Sequence, residues 1–71
     1  MTTAEAKKIV QKFLDDRKLP YTKLTARTTH IDRSDCIFVN VHGWKPNPAW
    51  TDLKNHARKN GFYVESDWIV S

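Results

Sequence analysis

Four side chains in this sequence have the chemistry to hold a soft metal or to start a nucleophilic reaction: Cys36, His30, His42 and His56. Their placement suits neither task. Cys36 and His42 stand six residues apart in a stretch that reads as a strand, which separates their backbones by about 20 Å at a rise of roughly 3.3 Å per residue. A zinc site gathers its ligands around one ion, and a thiolate nucleophile needs its base within hydrogen-bond reach. His30 falls on the opposite sheet face from both, and His56 sits in a helix. The carboxylates of Asp15, Asp16, Asp32 and Asp35 lie at a helix end or a turn tip, where they are solvated rather than paired in a cleft. The sequence therefore predicts a binding domain, not an enzyme, with no metal and no cofactor.

What remains is an alternation. In the stretch Cys36 to His42 (CIFVNVH), Phe38, Asn40 and His42 point to one side and Ile37, Val39 and Val41 to the other. Its β-branched content marks it as the centre of a sheet. Tyr21 to Ile31 is Thr-rich and alternates as well, and Asp32-Arg33-Ser34-Asp35 reads as the turn between the two strands. A register with Ile31 opposite Cys36 puts Thr29 against Phe38, Arg27 against Asn40 and Thr25 against His42. It also puts His30 beside Ile37 and Leu24 beside Gly43. One face then collects Leu24, Ala26, Ile37, Val39 and Val41 as core, and the other stays polar, as a half-buried sheet requires. Phe62-Tyr63-Val64-Glu65 reads as a third strand, with Phe62 and Val64 inward and Tyr63 and Glu65 outward.

The polar face is the candidate site. Lys23, Arg27, Phe38, Asn40, His42 and Tyr63 would form a nucleic-acid-binding surface, with Lys45 and Trp44 at its rim. An aromatic ring on a solvent-facing strand is out of place in a monomer. Such rings are stacking platforms for unpaired bases, Lys and Arg beside them attract phosphates, and Asn and His reach base edges. Binding dominated by phosphates would weaken steeply with salt. Competing expectations are that Trp68 or Ile69 of the tail covers Phe38, that Phe38 contacts a second copy, and that Trp44 packs on the core edge. The alternative function is a protein-interaction module, or a small regulator or inhibitor of a larger assembly. It would use the same face or an exposed edge of strand two.

Two helices must position these strands. Thr2-Thr3-Ala4-Glu5 fits a capping box, and Ala6, Ile9, Val10, Phe13 and Leu14 recur at helical spacing. Arg17 and Lys18 close the last turn and Pro20 ends the element. The lysines on the outer face are either solvated or a docking face for phosphates or an acidic protein. The second helix is predicted over 48–60. Asn47 is its cap, Pro48 its first residue, Trp50, Leu53 and Ala57 its buried stripe, and Asn60-Gly61 its left-handed stop.

The order α-β-β-α-β predicts an α+β two-layer sandwich with both helices on one face. The sheet is expected to be three-stranded and mainly antiparallel, in the order 3-1-2 if strand three sits beside strand one. Trp68-Ile69-Val70 would be a short fourth strand or a lid. In architecture this is broadly similar to double-stranded-RNA-binding and KH domains, although the chain carries neither a Gly-x-x-Gly loop nor an aromatic RNP motif. The 71 residues and 39% apolar content fit one domain with a thin core. One cysteine excludes an internal disulfide and fits a reducing compartment. With no leader and no apolar run near twenty residues, the chain reads as cytoplasmic and unattached to a membrane. A net charge of +4 with pI about 9.5 favours an acidic partner, either nucleic acid or an acidic protein, and the chain is expected to be a monomer or a weak homodimer.

Overall fold

The computed structural model describes residues 1–44 and 48–66. The elements are α1 (Thr3–Asp16), β1 (Lys23–Ile31), β2 (Ser34–His42), α2 (Ala49–Lys59) and β3 (Tyr63–Ser66), an α+β fold with an open, mixed sheet.

Both helices end as local chemistry dictates. At the start of α1 the Glu5 N–H donates to the Thr2 hydroxyl at 3.2 Å and the Thr2 N–H donates to the Glu5 carboxylate at 3.3 Å. These are the two halves of a capping box. At its end Arg17 is the cap, and Lys18 takes the left-handed conformation with φ +55°. Leu19 N–H then reaches back to Leu14 O at 2.9 Å and Lys18 N–H to Asp15 O at 3.1 Å. The same Schellman closure ends α2, where Gly61 has φ +89°, Phe62 N–H bonds Ala57 O and Gly61 N–H bonds Arg58 O, both at 3.1 Å. In each case an apolar pair, Leu14 with Leu19 and Ala57 with Phe62, accompanies the backbone bonds. Pro48 enters α2 in helical geometry without a side-chain cap of its own. The expected Asn47 cap lies outside the described residues.

β1 and β2 form the expected hairpin, but with a tighter turn. Ile31 pairs with Ser34, so only Asp32 and Arg33 make the loop, with φ +48° and +68°. Two positive φ values in a two-residue loop are the I′ pattern, whose twist matches that of the strands. The sequence expectation of a four-residue turn placed each partner two residues too far along. Arg27 faces Phe38 instead of Asn40, Thr25 faces Asn40, Lys23 faces His42, Cys36 faces Thr29, and His30 faces Asp35. A shift of two leaves every side chain on its own face, because the pleat repeats every two residues. Arg33 is a poor residue for its conformation. Arg33→Gly is expected to stabilise the fold by about 0.5–1 kcal/mol, because the relief of left-handed strain exceeds the entropy glycine adds to the unfolded chain. Thermal unfolding checks this, and a lower Tm would contradict the two-residue turn.

β3 lies beside β2 and parallel to it, giving the sheet order β1-β2-β3. This corrects the 3-1-2 order. β1 already occupies one side of β2, and α1 packs over the hairpin while α2 packs against β3. The nearest vacant lane for a chain returning through α2 is therefore the other side of β2, whereas the far edge of β1 lies two lanes away. Nine antiparallel pairs against four parallel ones keep the ladder mainly antiparallel. The Val-rich second strand is central, as its β-branched content suggests and as the 3-1-2 order, with strand one in the middle, did not allow.

Both helices press on one sheet face. Ala6, Val10 and Leu14 of α1, Val39 and Val41 of β2, Leu53 and Ala57 of α2, and Phe62 are fully shielded from water. Ile9, Phe13, Leu24, Ala26, Ile37, Trp50 and Val64 pack around them. Trp44 is buried at 3% exposure, its ring edge-on to Trp50 at 5.4 Å. It is a core-edge residue and does not stand at the rim of the open face. The expectations for Trp68, Ile69 and Val70 lie outside the described residues.

Candidate functional site

The register fixes which groups meet on the helix-free face. Arg27, Phe38 and Tyr63 form one row across the three strands, because Arg27 faces Phe38 and Phe38 faces Tyr63. The Arg27 guanidinium lies 4.8 Å from the centre of the Phe38 ring, and the Tyr63 ring stacks on Phe38 at 5.3 Å and 24°. β1 and β3 flank β2, so guanidinium and phenol cover opposite sides of the Phe38 ring. Phe38 is therefore the middle of a sandwich and not the stacking platform its sequence position suggests. Tyr63, on β3 and 47% exposed, is the more accessible of the two rings.

The next row is Thr25, Asn40 and Glu65. Arg27 crosses above β2 to Glu65, with 3.0 Å between guanidinium and carboxylate and 55% and 38% of the two side chains exposed. Beneath that bridge the Asn40 Oδ1 is shut off from solvent and has no hydrogen-bond partner among the described residues. The Thr25 hydroxyl meets His42 Nε2 at 2.8 Å. Lys23 is exposed opposite His42. The structure thus brings Lys23, Arg27, Phe38, Asn40, His42 and Tyr63 onto one surface, while Lys45 lies outside the described residues. No family model, curated protein or solved structure matches this chain. What the face can do must be read from its own geometry.

Glu65 is the member of this surface that the sequence reading left out of the site. Its signal was available: it stands two residues after Tyr63 on the same strand, so the pleat places both side chains on one face. Its effect is electrostatic. On the three strands and the hairpin turn, Lys23, Arg27 and Arg33 are balanced by Asp32, Asp35 and Glu65. On the helices and their caps, Lys7, Lys8, Lys12, Arg17, Lys18, Lys54, Arg58 and Lys59 outnumber Glu5, Asp15, Asp16 and Asp52 by four. The net charge of +4 thus sits on the helical layer. The molecule is 19 Å across its thinnest dimension, and exposed charges are screened beyond about 8 Å at physiological salt. The open face consequently gains little attraction for phosphates from the charge behind it.

The remaining chemistry-bearing groups are dispersed. His30 Nδ1 is 3.1 Å from the Asp35 carboxylate near the hairpin tip, on the other face. His56 leans on Phe13 at 5.4 Å on the outer side of the helices, and Arg17 lies 4.3 Å over the same ring. Cys36 is half-buried opposite Thr29. Among the described residues no three of His, Cys, Asp and Glu converge on one point, and no helix is long and apolar enough to cross a membrane.

Proposed function

We propose that this chain is a small non-enzymatic binding domain that takes single-stranded nucleic acid on the helix-free face of its sheet. The observation that carries the reading is the Arg27–Phe38–Tyr63 row, a stacked cation and two rings on a face without helices, ending in an exposed Tyr63. Bases stack on such rings without regard to sequence. Lys23 reaches a backbone phosphate, and Arg27, Asn40 and His42 line the path. A reducing, cytoplasmic setting suits the half-buried thiol of Cys36.

Tyr63→Ala is expected to weaken binding of a mixed-sequence oligonucleotide roughly tenfold or more, since one base–aromatic stack contributes about 1–3 kcal/mol. Salt dependence should be shallow, contrary to the steep slope expected from sequence. One phosphate contact gives a log–log slope of about −0.7. Fluorescence anisotropy at several salt concentrations measures both quantities. A slope several times steeper would move the interface to the helical layer, and unchanged affinity in Tyr63→Ala would refute the platform.

A second reading is favoured by the edge of the sheet. β2 is paired on both sides, which removes the expected open edge of strand two. Among the described residues the outer edge of the nine-residue β1 carries no strand. Such an edge can extend a partner's sheet, making the chain a protein-interaction module or a weak homodimer. A complex insensitive to both Arg27→Ala and Tyr63→Ala supports that reading over the first.

A further inference from the structure

The Arg27–Glu65 bridge and the orphaned acceptor beneath it form a small recognition site. The depression they share has a volume of about 130 Å³ and is lined by Thr25, Ala26, Arg27, Phe38, Asn40 and Glu65. Asn40 and Glu65 are direct neighbours across β2 and β3, so an amide oxygen and a carboxylate stand side by side. Arg27 supplies donors from the β1 side. A buried acceptor left without a donor is costly and uncommon, which makes the Asn40 Oδ1 a place where an incoming N–H gains a full hydrogen bond. The ion pair above it is half-exposed and so is a weak contact that opens readily. A ligand that enters there must give Arg27 an acceptor and must give Glu65 and Asn40 donors.

Resting on the single-strand reading above, we propose that this depression selects guanine. The pairing edge of guanine carries one carbonyl acceptor followed by two adjacent donors, the ring N1–H and the N2 amino group. That order matches Arg27 on β1, Asn40 on β2 and Glu65 on β3. Adenine and cytosine offer one amino donor beside ring or carbonyl acceptors, and uracil and thymine offer one N–H between two carbonyls. Each of these leaves at least one of the two acceptors unmet. In the bound state O6 accepts from the Arg27 guanidinium. N1–H donates to the Asn40 Oδ1, and the N2 amino group donates to the Glu65 carboxylate. The base thus replaces each partner the ion pair gives up. Tyr63 is left to stack the neighbouring nucleotide.

The test uses thymine hexanucleotides with a single varied central base, so that no guanine quadruplex can form. Anisotropy titrations of the intact chain compare guanine, adenine, cytosine, thymine and inosine at that position. Guanine is expected to bind about tenfold more tightly than the others, at the modest end of what bidentate base contacts achieve. Inosine lacks only the N2 amino group and is expected to lose most of that preference. Glu65→Gln is expected to bring the guanine and inosine oligonucleotides to the same affinity. Equal binding of all central bases, or a preference for another base, overturns the guanine proposal and leaves the nucleic-acid reading standing. A guanine preference that inosine retains, or that survives Glu65→Gln, overturns it too. Binding of none of the oligonucleotides overturns both.

Discussion

Phe62→Ala is expected to remove about 3–5 kcal/mol of folding stability, as deletion of a fully enclosed ring does when the surroundings cannot collapse into the space. Phe62 is 1% exposed and is the largest of the fully buried side chains. It enters from the short turn after α2, between Ala57 and the inner faces of β2 and β3. A domain of 71 residues at about 0.05–0.15 kcal/mol per residue has roughly 4–10 kcal/mol in total, so this one ring decides whether the variant is folded at ambient temperature. The Schellman closure does not confuse the result. Its bonds from Phe62 N–H and Gly61 N–H are made by backbone and persist in the alanine variant. Phe38→Ala is the contrast. That ring lies on the open face with only its flanks covered, and its loss is expected to cost about 1 kcal/mol. Urea denaturation of both variants gives the comparison. A Phe62→Ala cost no larger than that of Phe38→Ala would contradict a single core on the helix side of the sheet.

Most of the face polarity was legible in the sequence because it depends on parity. Val39 and Val41 are inward and Phe38 and Asn40 outward in any register that keeps the pleat in phase, and so are Leu24 and Ala26 inward. The helix ends were legible for a similar reason: Thr2 with Glu5, and Asn60 with Gly61, act on their own backbone within a few residues. Pairing was not legible, since it depends on which two residues make the turn. Asp32-Arg33 lacks the glycine that marks a I′ loop, so a longer turn over Asp32 to Asp35 reads equally well. The place of β3 was hidden for a different reason. Periodicity says which side of Tyr63 faces water, but only the competition for lanes beside β2 says which strand it joins. The composition of the site followed from those two hidden choices. With Arg27 opposite Phe38 and Tyr63 on its other flank, a presumed platform became the middle of a stack. Glu65 then arrived within reach of Arg27 and cancelled a charge that the sequence alone had left for phosphates.

Gly43→Ala is expected to cost at least about 2 kcal/mol, of which roughly half is the left-handed backbone and the rest collision. Gly43 has φ +74°, and a Cβ built there overlaps the hydroxyl and Cβ of Thr22. Thr22 cannot retreat without loss, because its N–H donates to His42 O at 2.7 Å and extends the hairpin ladder past β1 and β2. This collision belongs to the true register. The longer turn expected from sequence put Leu24 beside Gly43, and the two-residue shift brings Thr22 there instead. A double-mutant cycle separates the two parts. Thr22→Gly removes the obstructing Cβ but not the backbone strain, so Gly43→Ala measured in that background should cost about 1 kcal/mol less than in the parent chain. An equal cost in both backgrounds would mean that the two residues do not meet. Because His42 leads directly into Gly43 and accepts the Thr22 bond, the same variant is also expected to loosen the Thr25–His42 contact on the open face. Oligonucleotide affinity should then fall in Gly43→Ala even at temperatures where the chain remains folded.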